Sequence, residues 1–101
     1  MTKTTAFAGQ SIDLLTKHCQ NLDGFSDEIT TKMTAKQPLR ITAVDVLKEI
    51  SDTTLTCGST IEFFGDDDPI PWAVLNMIKT AQQAIGTASN ALILILVIAN
   101  K

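Results

Sequence analysis

With 101 residues, a net charge of −3, 45% apolar and 19% charged residues, the chain can bury one modest core. That composition excludes intrinsic disorder, and the length excludes a second domain, so residues 1–101 are expected to form one. The eight basic residues are spread along the sequence and supply no electrostatic footprint for nucleic-acid phosphates or anionic lipid, so neither nucleic acid nor membrane is expected as a partner.

The opening "MTKTTAFAGQ" lacks the apolar stretch of a secretory signal, so a cytoplasmic location is expected. Cys19 and Cys57 stand in unrelated contexts with neither CxxC nor zinc spacing, and read as free, buried thiols. From Gln10 to Leu22, Ile12, Leu15, Cys19 and Leu22 recur at spacings of three and four and paint one stripe on a helix that stops near Asp23 and Gly24. Ile29, Thr31 and Met33 then alternate with Glu28, Thr30, Lys32 and Thr34, which predicts a strand. "AKQP" reads as a loop, and Leu39 and Ile41 alternate with Arg40 and Thr42 beyond it, completing a hairpin.

Thr42 and Asp45 form the pattern of a capping box, opening a short helix with Val44, Leu47 and Ile50 on one face and an end near Asp52. "SDTTLTC" is rich in β-branched residues, and a strand is placed at Thr60 to Phe64 before a turn at Gly65. Asp68 as N-cap with Pro69 at the first helical position starts a further helix, with Trp72, Leu75, Ile78, Ala81 and Ile85 as its core stripe and Gly86 as terminator.

The closing "NALILILVIANK" contains seven consecutive branched apolar residues from Leu92 to Ile98. Too short for a spanning helix of about 20 apolar residues, the run fits a strand covered on both faces. Periodicity alone also admits a buried helix. Because Gly86, Thr87, Ser89 and Asn90 precede it and four of the seven residues are β-branched, the strand is favoured. The expected order is αββαβαβ.

From about Leu14 to Thr80, helix, "FSDEITTKM", "LRITAVDVLKEIS", "CGSTIEFFGDDD" and a final amphipathic helix resemble, in order and spacing, the HPr family of histidine-containing phosphocarrier proteins. The resemblance implies an α+β fold, a four-stranded antiparallel open-faced sheet with three helices on one side. It also shows what is missing. The family's Gly-x-His-x-Arg-Pro motif is replaced by "AFAGQS", with Ala8 at the histidine, Gln10 at the arginine and Ser11 at the proline. No phosphoryl acceptor stands there, and Asp45 takes the place of the family's regulatory serine. The family's first strand is missing too, and the closing run would supply it as a circular permutation.

His18 has no second imidazole beside it in the sequence, and a partly exposed helix residue explains it more simply than a base or ligand. Asp66, Asp67 and Asp68 lack the alternating ligands of a calcium loop, and capping accounts for Asp68. No nucleophile elbow, P-loop or dinucleotide fingerprint is present, so no enzyme activity, cofactor or metal is expected. The reading favoured from sequence is a non-catalytic protein-binding or regulatory module, its partner surface formed by Asp45, Val46, Leu47, Ile50 and Gln10. A plain core stripe is the favoured explanation of Leu47 and Ile50 taken alone. Ile93, Ile95 and Val97 would meet a second copy or a partner protein. The alternative is an all-α helical bundle, a structural or assembly protein that oligomerises through its apolar C-terminal segment.

Overall fold

A computed structural model describes residues 3–64 and 69–99. They form three helices, α1 (Lys3–Thr34), α2 (Ala43–Phe64) and α3 (Trp72–Ala99). Three contacts between helices fix their directions. Phe7 stacks on Phe63, His18 meets Glu49, and Thr16 meets Met77. α1 and α2 are therefore antiparallel, and α3 runs parallel to α1. The molecule is a rod of 52 × 19 × 17 Å.

This is the all-α alternative. The four-stranded sheet, the αββαβαβ order and the HPr-like fold are all overturned, because no strand exists among the described residues. With them go the circular permutation and the equation of Asp45 with a regulatory serine.

A seven-residue spacing organises the interior. On α1 it joins Leu15, Leu22 and Ile29 with Cys19, Ser26 and Met33. On α2 it joins Val46, Thr53 and Thr60 with Ile50, Cys57 and Phe64, and on α3 Val74, Ala81, Ala88 and Ile95 with Ile78, Ile85 and Leu92. Nearly all are buried, and the remaining few pack against the buried cluster. Such a seam is the a/d pattern of helices packed at a shallow angle. Ala81, Ala84, Ala88 and Ala91 all lie inside, and these small side chains let α3 approach α1, its most extensive partner. Leu15, Leu22, Ile29, Val46 and Val74 are fully buried. Each contributes about 1.5–3 kcal/mol by leaving water.

The expected strands failed for identifiable reasons. Ile29 and Met33 alternate with polar residues, but they are also one helical turn apart, and Thr31 between them is exposed. Gly24 faces solvent inside α1 and does not end it. α1 stops ten residues later in a Schellman motif. There the Gln37 N–H donates to the Lys32 carbonyl (2.8 Å) and the Lys36 N–H to that of Met33 (3.2 Å), with Lys36 left-handed at φ 56°.

In α2 the threonine-rich stretch is helical because Thr53, Cys57 and Thr60 lie in the buried seam, and its hydroxyls are satisfied by carbonyls one turn back. Thr53 reaches Glu49, Thr54 Ile50, Thr56 Asp52 and Thr60 Thr56, all at 2.7–2.8 Å. α2 thus runs to Phe64 rather than ending at Asp52. Its capping box forms as expected: the Asp45 N–H donates to Thr42 Oγ1 (3.2 Å) and the Thr42 N–H to the Asp45 carboxylate (3.1 Å). Its buried stripe is offset, however, from Val44 and Leu47 to Val46, Ile50 and Thr53.

α3 begins at Trp72, with the Pro71 carbonyl accepting from the Leu75 N–H (3.0 Å), so Pro69 precedes the helix. Gly65 and the expected cap at Asp68 lie outside the described residues. Gly86 leaves α3 unbroken, and the hydroxyls of Thr87 and Ser89 donate to the carbonyls of Gln83 and Ile85 (3.1 and 2.7 Å). The closing run is helix because Ala88, Leu92 and Ile95 continue the α3 seam against α1.

Gly24 supplies a direct check. A Cβ added there meets nothing within 4 Å, so Gly24→Ala should stabilise the protein by about 0.5–1 kcal/mol, as alanine does in a helix interior. Chemical denaturation measures this, and a loss of stability would mean that Gly24 sits in a turn.

Candidate functional site

Helix length creates the most conspicuous surface. At 1.5 Å rise per residue, the 32 residues of α1 extend about 48 Å and the 28 of α3 about 42 Å, against about 33 Å for the 22 of α2. At one end of the rod α3 therefore outruns α2. Ile95 turns inward there toward Met33 and Leu39, around a groove of ≈ 310 Å³ that Lys32, Lys36 and Gln37 complete. Leu39 and Ile41, from the segment between α1 and α2, cover part of this end. Ile93, Leu94, Leu96 and Val97 stay uncovered, 42–55% exposed.

The opposite end is also apolar. Trp72 is 76% exposed, Ile61 and Leu75 lie open beside it, and Phe63 is also exposed. Ile61, Trp72, Leu75, Asn76 and Lys79 line a groove of ≈ 550 Å³ between α2 and α3. Phe7, Phe63 and Phe64 form an aromatic cluster under this end, Phe7 stacked on Phe63 with centroids 3.7 Å apart. The sequence reading had Trp72 and Leu75 in the core stripe. They face outward because Val74 and Ile78 hold the seam.

The residues expected to form a partner surface do not come together. Val46 is fully buried in the core, and Ile50 is half-buried against it. Asp45 and Leu47 are exposed at the start of α2, whereas Gln10 lies toward the other end, beside Leu14 and Leu55 in a groove between α1 and α2. Of the second expected set, Ile93 and Val97 share an exposed face and Ile95 points away from it. Sequence reasoning missed Leu94, Leu96, Ile61 and Phe63. The signal that finds them is the seven-residue seam, which takes Leu92 and Ile95 on α3 and Thr60 and Phe64 on α2 inside and leaves these residues out.

Midway along the rod lies a polar cluster. His18 Nδ1 is 2.8 Å from the Glu49 carboxylate and Nε2 3.3 Å from Thr56 Oγ1, while Asn21 donates to the same carboxylate oxygen of Glu49 (3.2 Å). Hydroxyl, imidazole and carboxylate stand in the order of a hydrolytic triad, but the Thr56 hydroxyl proton is already given to the Asp52 carbonyl. These contacts clamp α1 to α2.

Cys19 and Cys57 are free and buried. Burial pushes both thiols above their ordinary value, and for Cys19 the charges of Asp23 and Cys57 add to it. No group of three or more metal-ligating side chains exists among the described residues. The segment Trp72–Val97 is long and apolar enough to cross a membrane, with mean hydropathy 1.3, a property that core helices share.

Two outcomes test these groups. His18 and Glu49 side chains are each only 15% exposed, so His18→Ala, which leaves the Glu49 carboxylate with Asn21 alone, should cost about 1–3 kcal/mol. A double-mutant cycle with Glu49→Gln should give a coupling above about 0.5 kcal/mol. For the thiols, the folded state holds protons that the unfolded state releases above the ordinary value of 9.0. Stability should therefore fall as pH rises past that value, and more steeply in the native chain than in a Cys19→Ala/Cys57→Ala variant.

Compared with the models of known protein families, with curated proteins and with solved structures, the chain matches none.

Proposed function

We propose that this protein is a helical structural or assembly module that self-associates through the apolar end of α3. The observation carrying this reading is the quartet Ile93, Leu94, Leu96 and Val97, 42–55% exposed within five consecutive positions. No charged residue occurs between Lys79 and Lys101 to break the patch. Contiguous exposed apolar surface of this kind marks an interaction site.

Its magnitude says what else is needed. Covering four half-exposed side chains gains about 3–6 kcal/mol, at 1.5–3 kcal/mol for each complete burial. Association itself costs about 4–15 kcal/mol in lost translational and rotational freedom, so these residues must meet a second apolar surface. A membrane-spanning role for α3 is disfavoured. It would strip α3 from α1 and expose Leu15, Leu22 and Ile29.

Sedimentation equilibrium from low micromolar to submillimolar concentration tests the proposal. The wild type should show concentration-dependent mass, and Leu94→Glu with Val97→Glu should reduce association at least about tenfold, the effect of 1.4 kcal/mol. A wild type that stays monomeric over the whole range would overturn it.

A further inference from the structure

Beside the exposed tip of α3 lies a recess of a different character. Met33, Leu39 and Ile95, half-buried against the core, form the apolar part of the groove of ≈ 310 Å³, and its other lining residues are Lys32, Lys36 and Gln37, with no carboxylate among them. A second groove, of ≈ 430 Å³, adjoins it. Lys32 and Gln37 line both, and Glu28, Pro38 and Arg40 complete the second. The end of α1 and the segment after it thus set an apolar slot against a polar one, with Lys32 on the boundary.

The positive charges here are not spent within the chain. The one ion pair among the described residues joins His18 to Glu49, so Lys32, Lys36 and Arg40 have no carboxylate within pairing distance. Lys32 donates to the side-chain oxygen of Gln37 (3.2 Å), a neutral partner. Glu28 is the one carboxylate lining the two grooves, against three cations. The dipole at the end of α1 accounts for a cation at Lys32, but not for Arg40, which lies beyond the helix. Lys36 occupies the left-handed position of the Schellman motif, where glycine is the usual residue.

We infer that the two grooves together bind a single-chain anionic amphiphile of the medium-chain fatty acid class: the hydrocarbon lies on Met33, Leu39 and Ile95, and Lys32, Lys36 and Arg40 hold the carboxylate. Unpaired cations select an anion, and the apolar slot selects an anion that carries a chain. At ≈ 310 Å³ the slot stands at the lower end of the roughly 300–1,000 Å³ of small-molecule sites, which suits a medium chain rather than a long one. Lys32 is half-buried, so its methylene stem covers part of the slot while the ammonium reaches the polar side. The site is independent of the self-association proposed above, because Ile95 turns away from the exposed Ile93 and Val97.

Titration of the protein with octanoate, followed by the methyl resonances in NMR, tests this. Octanoate should shift Met33, Leu39 and Ile95 saturably, and octylammonium, of equal chain length and opposite charge, should bind at least about tenfold more weakly. Lys36→Gly removes a charge and relieves the left-handed residue, so it should raise stability and still weaken octanoate about threefold, as loss of an exposed ion pair does. Arg40→Gln should weaken octanoate to a similar degree with its helix content unchanged in circular dichroism.

Equal affinity for octanoate and octylammonium would make the recess a plain apolar slot, and shifts confined to Ile93, Leu94 and Val97 would put octanoate on the exposed tip. Either result overturns the site. Inorganic phosphate that binds as tightly as octanoate overturns it too, since the chain then contributes nothing. So does the absence of any saturable shift below the concentration at which octanoate forms micelles, and co-sedimentation with phosphatidylglycerol vesicles in that case assigns the basic end to a membrane surface instead.

Discussion

The structure depends on one constraint, the continuity of a seven-residue apolar seam along three helices of unequal length. Leu15, Leu22 and Ile29 on α1 fill the interior, and four alanines on α3 leave room for them. The hydrophobic term is large here because these side chains leave water completely, and dispersion adds to it because the helices come close. Alternatives that look plausible in a short window lose to this seam. A strand at Ile29 to Met33 would bury two residues on a face that no other element covers, whereas the helix buries them in a core already formed by Leu15 and Leu22.

Polar groups inside the seam fix what apolar contacts leave loose. A seven-residue repeat can slip by one repeat and still pair apolar with apolar. The cluster of His18, Glu49, Asn21 and Thr56 has partners only in the observed register of α1 against α2, and a slip would part them. The buried hydroxyls of Ser26, Thr53 and Thr60 stay local, each spending its proton on a carbonyl one turn back, and no buried side-chain polar atom among the described residues is left unpartnered. Thr53 and Thr60 are small enough at the seam for α2 to sit between α1 and α3.

The same mismatch of helix lengths that leaves α3 longer than α2 also exposes the surface on which function is proposed. A fourth helix, or a longer α2, would cover Ile93, Leu94, Leu96 and Val97. The chain instead ends its covering helix early and puts basic residues beside the uncovered part. At the far end the exposed Trp72 is not needed by the fold, since Val74 and Ile78 hold that turn of α3. Two apolar surfaces that the fold does not use, at opposite ends, are what distinguish this rod from a closed three-helix bundle.

The sequence by itself determined the local features: the Thr42–Asp45 capping box, the loop at "AKQP" and the stripe from Ile12 to Leu22. Each depends on interactions within a few residues, so a short window contains the cause. The tertiary structure decided whether Ile29 to Met33, Thr60 to Phe64 and Leu92 to Ala99 are strand or helix. Their composition suits both, and only packing against a partner far along the chain selects the helix. It also decided the site. The run from Leu92 to Val97 has no polar residue to mark its wet face, so nothing local separates the inward Leu92 and Ile95 from the outward Ile93, Leu94, Leu96 and Val97. The position of α1, and the point at which α2 stops, make that division.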